Sequence, residues 1–152
     1  MDRADHAAEQ NTWNDVDDYV TGLLHSPDIG LERAIAISDQ YGLPSIQVSA
    51  TLGKLLNLLA QISRAHRILE IGTLGGYSTI WLARALPQDG RLITIELEPR
   101  NARVARSAID TAGLADRVDL RIGAAVDVLP EIESESVAPF DMVFIDADKE
   151  NG

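Results

Sequence analysis

Residues 67–78, RILEIGTLGGYS, constrain this chain more than any other stretch. The apolar run Ile68–Ile71 stops at Gly72, passes Gly75 and Gly76, and restarts as a helix at Tyr77-Ser78. A strand that ends in a glycine turn and opens a helix sets backbone N–H groups and a helix N-terminus beside the turn. The unusual residue is Glu70, near the strand's carboxyl end. A carboxylate is out of place in a cradle for pyrophosphate. It suits a cationic, amine-bearing ligand.

The alternation continues downstream. A helix is predicted over Ser78–Leu86, then a turn at Gln88-Asp89-Gly90 and a second strand, Leu92–Ile95, closing on Glu96. Pro99 sits where a first-turn proline is tolerated, and its helix runs to Ala112 with Gly113 at the C-terminal end. A third strand, Val118–Ile122, leads through Gly123-Ala124-Ala125 to a short helical stretch around Asp127–Leu129. The fourth strand, Asp141–Ile145, closes on Asp146. Strands with little polar interruption and intervening helices predict a parallel sheet covered on both faces. With right-handed crossovers, the fold class is a Rossmann-like, doubly wound α/β sheet.

A helical prelude precedes it. Residues 1–11 lack apolar periodicity and read as a solvated tail. Trp13, Val16, Val20, Leu23 and Leu24 are spaced for an amphipathic helix, and a second helix is expected over Leu31–Tyr41, ended by Gly42 and Pro44. Ser49 caps a third, whose Leu52, Leu55, Leu56, Leu59 and Ile62 share one face. That stripe, with Trp13 and Trp81, is expected to pack in the core, part of the prelude being available as an oligomer interface. The organisation expected is one domain: tail 1–11, prelude 12–65 and cofactor-binding α/β core 66–152. Met142–Ile145 is as apolar as a central strand, yet the sequence ends seven residues later, so the chain is read as a piece of a longer domain.

Composition narrows the function. The formal net charge of −11 disfavours a nucleic-acid surface. The chain has no cysteine, which excludes thiolate chemistry and fits a reducing compartment such as the cytoplasm. No apolar run approaches a membrane span, so no membrane association is expected. His25 and His66 border helices and read as surface or capping residues, and His6 falls in the tail. Asp148 reads as a solvated acid, and Arg100, Arg103 and Arg106 as a solvated helix edge.

Three acids, Glu70, Glu96 and Asp146, fall at the carboxyl ends of three strands, where an open α/β sheet binds its ligands. Glu96 lies at the distance from the glycine turn at which a strand-two acid accepts hydrogen bonds from ribose hydroxyls. The turn is not Gly-x-Gly-x-x-Gly, so the glycine that admits a pyrophosphate is missing, and a nicotinamide dinucleotide is disfavoured. A nucleoside without pyrophosphate and with positive charge near Glu70 fits better. S-adenosylmethionine has these properties.

The segments LEIGTLGGYSTIWLARALP, TIELEP, AGLADRV, FDMVFIDADKEN and, in the prelude, IQVSATLGKLL together resemble the metal-dependent class I O-methyltransferases, the catechol and caffeoyl-CoA O-methyltransferase group, especially its bacterial members. The resemblance implies methyl transfer from S-adenosylmethionine to a phenolic or catechol-like hydroxyl, on a free or acyl-CoA-linked acceptor, with a divalent cation such as Mg²⁺ and possible homodimerisation. It places Glu70, Gly72, Thr73 and Ser78 around the methionine moiety, Glu96 on the ribose, Ala125 at the adenine and Val48 or Ser49 against the cofactor. Asp146 matches a metal-ligating aspartate that also borders the cofactor, and Lys149 the general base. The family's remaining metal ligands, an Asp-Asn pair, and its last strands belong beyond Gly152. The alternative is a non-catalytic S-adenosylmethionine-binding or dimerisation module.

Overall fold

The computed structural model describes residues 3–24, 28–135 and 139–147. Three helices, α1 (Arg3–Leu24), α2 (Ile29–Gln40) and α3 (Ala50–Ile62), precede the alternating part. There β1 (Arg67–Ile71), α4 (Tyr77–Ala85), β2 (Arg91–Glu96), α5 (Pro99–Thr111), a 3₁₀ turn at Ala115–Arg117, β3 (Val118–Ile122), α6 (Ala125–Ser134) and β4 (Met142–Ile145) follow. The strands form one parallel sheet in the order β3-β2-β1-β4. The chain winds outward from β1 to β3, then crosses back to β4 on the other side of β1. The topological switch, where open α/β sheets bind ligands, therefore lies between β1 and β4.

Strand periodicity sorts the core into two layers. Ile68, Leu92 and their register partners face α4 and α5, with α2 and α3 packed outside. Leu69, Ile71, Ile93 and Ile95 face Ala125, Val128 and Ile132 of α6. This is the doubly wound α/β class read from the sequence. Loop anchors reinforce it: Asp141 Oδ2 accepts hydrogen bonds from the backbone N–H groups of His66 and Arg67 at 2.8 and 2.9 Å, pinning the start of β4 to the start of β1. The Arg84 guanidinium pairs with Asp28, the N-cap of α2, fastening that helix to α4.

Several local expectations change. Helix α1 begins at Arg3, ten residues before the apolar periodicity, because periodicity reports burial whereas Arg3, Ala4, Ala7, Ala8, Glu9 and Gln10 have high intrinsic helix propensity. Helix α6 extends through Pro130 to Ser134, past the expected stop at Leu129; proline costs it one backbone bond, which the packing of Val128 and Ile132 offsets. The leucine stripe of α3 is not core: Leu52, Leu55, Leu59 and Ile62 are exposed, and so is Trp13, whereas Leu56 is buried. α3 instead turns its small face inward, with Gly53, Asn57 and Ala60 against α4, and Asn57 Nδ2 donates to the Trp81 carbonyl at 2.9 Å. Trp81 is buried, as expected.

Gly53 makes that packing possible. A Cβ there would overlap the Trp81 indole, reaching 3.0 Å from Cγ and closer to its neighbours. Alanine would gain about 1 kcal/mol of helix propensity, but overpacking costs about 1–3 kcal/mol. Gly53→Ala is therefore expected to lower stability in urea unfolding. A gain would mean that Trp81 moves aside without penalty.

Candidate functional site

A pocket of about 380 Å³ opens at the carboxyl ends of β1, β2 and β4. Its floor is the glycine turn after β1, and segment 44–48, between α2 and α3, closes one side. Gly72 has φ 97° and donates its N–H to the Ile95 carbonyl at 2.9 Å. A Cβ at Gly72 would collide with the backbone carbonyl of Asp146, so glycine is what lets the end of β4 close against β1. Gly75 meets Ser38 of α2 just as tightly, which presses the prelude onto the turn.

Glu96 organises the rim. Its Oε2 accepts the N–H groups of Thr73 at 3.2 Å and Leu74 at 2.8 Å, and its Oε1 accepts the Glu98 N–H at 2.9 Å and, more distantly, Asn101 Nδ2 at 3.4 Å. Leu74 is held at φ 49°, a left-handed conformation a branched side chain avoids. The carboxylate thus fixes the turn and presents a rigid acceptor to the pocket. Opposite it, α4 starts at Gly76 with φ 84° and no side-chain cap, leaving first-turn N–H groups for an anionic ligand atom.

Glu70 lies one layer deeper. It is 0% exposed and does not line the pocket. Ser78 Oγ donates to its Oε1 at 2.7 Å, and Thr79 and Thr94 hydroxyls donate to its Oε2 at 2.5 and 2.7 Å. Glu70, expected among the residues around the methionine moiety, thus stands behind the pocket wall: it is followed by Ile71 before the turn, and register pairs it with Thr94 beneath α4. Burial pushes its pKa from 4.5 up to about 7, against the lowering effect of the three hydroxyls. As pH rises, the unfolded chain loses this proton first. The stability contribution is full below pH 4.5 and falls by about 3 kcal/mol up to pH 7. Glu70→Gln is expected to remove that part of the decline in urea melts between pH 4 and 8; an unchanged slope would assign it elsewhere.

Asp146 lines the pocket from the end of β4, its backbone N–H donating to the Ile71 carbonyl at 2.8 Å. Partial burial raises its pKa. Among the described residues, no three His, Cys, Asp or Glu side chains gather as a metal site, so Asp146 does not by itself make the expected centre. Lys149, Asp148 and His25 lie outside the described residues.

Of the other expected residues, Val48, Gly72, Thr73, Ser78, Glu96 and Ala125 share the pocket with Asp146. Ser49 does not line it: its hydroxyl caps α3, accepting the Leu52 N–H at 3.3 Å. The sequence reading missed Asn101, Gln47 and Ser38, which also line it. Asn101 had a signal, since a helix opening at Pro99 brings its first turn back over the strand end. Gln47 and Ser38 reach the pocket only through the packing of α2, which leaves no local pattern.

A family model described as O-methyltransferase matches residues 29–152. The chain belongs to the O-methyltransferase family. It is 52% identical over 137 residues to a catechol O-methyltransferase of Niastella koreensis, covering 90% of this chain and 62% of that protein. A catechol O-methyltransferase of Mycobacterium tuberculosis matches with the same identity, over 90% of this chain and 61% of its own length. An O-methyltransferase structure from Bacillus cereus in complex with SAH superposes with a TM-score of 0.90 at 52% identity, covering 93% of this chain and 64% of that one. One from Streptomyces achromogenes involved in tomaymycin synthesis, in complex with SAM, gives 0.87 at 52% identity, over 93% and 63%. This O-methyltransferase-family chain thus spans a little over three fifths of the curated relatives it matches, 62% and 61%. Among its described residues, no helix is long and apolar enough to cross a membrane.

Proposed function

We propose that the protein binds S-adenosylmethionine in this pocket and methylates a hydroxyl of a small phenolic or catechol-like acceptor. The observation that carries the reading is Glu96: a carboxylate held by three backbone N–H groups at the end of β2, facing the pocket beside the uncapped start of α4. Ribose hydroxyls would donate to Glu96, the ligand carboxylate would meet the α4 N-terminus, and Ala125 would border the adenine. The relatives' names point to catechols, and the complexes with SAH and SAM to the ligand.

Bound S-adenosylmethionine supplies an electrophilic methyl group. The chain must supply an ionised acceptor oxygen, because a phenol with a pKa of about 10 is mostly protonated at neutral pH. Lys149 is proposed as the base that takes this proton, a role that needs a lysine pKa depressed from its usual value. A divalent cation at Asp146 belongs to the same reading, although the described residues do not by themselves complete a ligand set. Homodimerisation and an acyl-CoA-linked acceptor belong to the same proposal through the resemblance, and a cytoplasmic location through the cysteine-free composition.

Turnover of S-adenosylmethionine with catechol, followed as O-methylated product with and without added Mg²⁺, tests the activity. Product should form, and Lys149→Met should lower kcat by about 10²–10⁴-fold. Saturable cofactor binding without product would favour the second reading, a non-catalytic binding module.

A further inference from the structure

We propose that Arg100 is a positioning residue for the pocket: by donating to the Tyr41 carbonyl it ties the end of α2 to the first turn of α5, and so holds segment 44–48 in place as the pocket wall. The inference rests on the S-adenosylmethionine reading above and adds to it the contact that keeps this side of the pocket closed around the ligand.

Helix α2 is secured unevenly. At its start Asp28 pairs with Arg84, and Leu31 and Ala34 are buried in the same cluster as Ala105 and Ala108 of α5. At its other end Asp39, Gln40 and Tyr41 are exposed. Its 12 residues set the two ends about 18 Å apart, too far for the Asp28–Arg84 pair to restrain the second. The last carbonyls of a helix have no partner within it, and Arg100 Nη2 donates to that of Tyr41, the C-cap. The chain then reverses at Gly42, with φ 65°, buries Leu43 and runs on as the exposed wall. The N–H groups of Gly42, Leu43 and Ile46 bond only to carbonyls of α2 and of the turn itself. Among the described residues, the Arg100 bond is the one hydrogen bond that joins segment 41–48 to another part of the fold.

Arg100 is placed to transmit position. It follows Pro99 at the start of α5, two residues after Glu98, whose N–H is held by Glu96 Oε1. Asn101, the next residue, lines the pocket. The turn that carries the Glu96 rim is thereby tied to the stem of the wall, and a guanidinium donor makes that tie stronger than a neutral one. The arginines of α5, expected together as a solvated edge, therefore differ. Arg103 is exposed and makes no hydrogen bond or ion pair among the described residues, whereas Arg100 joins positions 59 apart in the chain.

The test combines hydrogen exchange over residues 41–48 of the ligand-free full chain with calorimetric titration of S-adenosylmethionine. Arg100→Met keeps the aliphatic stem and removes the donor. It should speed exchange in 41–48 by about threefold or more while leaving β1 protected, and weaken binding by about three- to tenfold. Arg100→Lys, which can still donate to the carbonyl, should restore most of both. Arg103→Met removes the same charge from the same helix and should change neither, which separates a lost bond from a lost charge on a chain of net charge −11. Unchanged exchange in Arg100→Met, or equal weakening in Arg103→Met, would overturn the assignment. Faster exchange with full affinity would also overturn it, leaving Arg100 a cap on α2 and nothing more. Failure of the folded, unsubstituted chain to bind S-adenosylmethionine would remove the cofactor reading, and the exchange data would still decide whether Arg100 holds the wall.

Discussion

Glu96→Ala should lower the affinity for S-adenosylmethionine by about 100-fold or more, and it should do so by two routes. One is the loss of the acceptor proposed for the ribose hydroxyls. The other is internal. Without the carboxylate, the N–H groups of Thr73, Leu74 and Glu98 lose their partner, and Leu74 loses the bond that holds it at φ 49°. Orphaned, partly buried donors cost about 1–3 kcal/mol each unless water reaches them. The turn should therefore relax, and the free protein should lose roughly 2–4 kcal/mol in urea unfolding. Glu96→Gln separates the routes, since its amide oxygen can still accept from Thr73 and Leu74. It should retain most of the stability and still bind weakly. Full affinity in Glu96→Gln would show that Glu96 serves the turn and not the ligand.

Gly72→Ala should be at least as damaging to the fold. Two costs act at the same position. The φ of 97° lies outside what an L side chain tolerates, and the added Cβ would strike the backbone carbonyl of Asp146. Neither obstacle is the end of a flexible side chain, so relief requires β4 to separate from β1. That would break the Asp146-to-Ile71 bond and open the pocket at the switch point. A loss of about 3 kcal/mol or more is expected, roughly 10 °C in melting temperature, with cofactor binding lost in parallel. An alanine variant with an unchanged melt would mean that the strand ends are not packed as described.

β1, β2 and β4 were legible because each is a largely apolar run closed by an acid or a glycine, as parallel strands are, whereas the edge strand β3, Val118–Ile122, alternates apolar and charged residues with a period of two. Glu96 was legible for the same reason: it is the last residue of its strand, and its register partner position across the sheet is the turn at Gly72. Glu70 looks equivalent in sequence but is not so placed in the fold. It lies one pleat earlier, level with Thr94, where α4 covers it. Strand position relative to the turn, not residue type, decides which acid reaches the crevice. The prelude was harder to read. On α3 a strong leucine stripe suggested the buried face, but the contact with α4 is made by Gly53, Asn57 and Ala60, whose small size permits close approach and leaves no hydrophobic signal. The wall at 44–48 depends on how α2 lies against Gly75, a long-range contact that no local pattern encodes.

The central claim is that the crevice at the ends of β1, β2 and β4 is a pocket for S-adenosylmethionine. Calorimetric titration of S-adenosylmethionine into the purified chain, with NAD as the competing ligand, tests it most directly. The account expects saturable binding of S-adenosylmethionine at a stoichiometry near one, unaffected by NAD and weakened in Glu96→Ala. A chain that is folded by circular dichroism yet binds no S-adenosylmethionine, or binds NAD in its place, would contradict it.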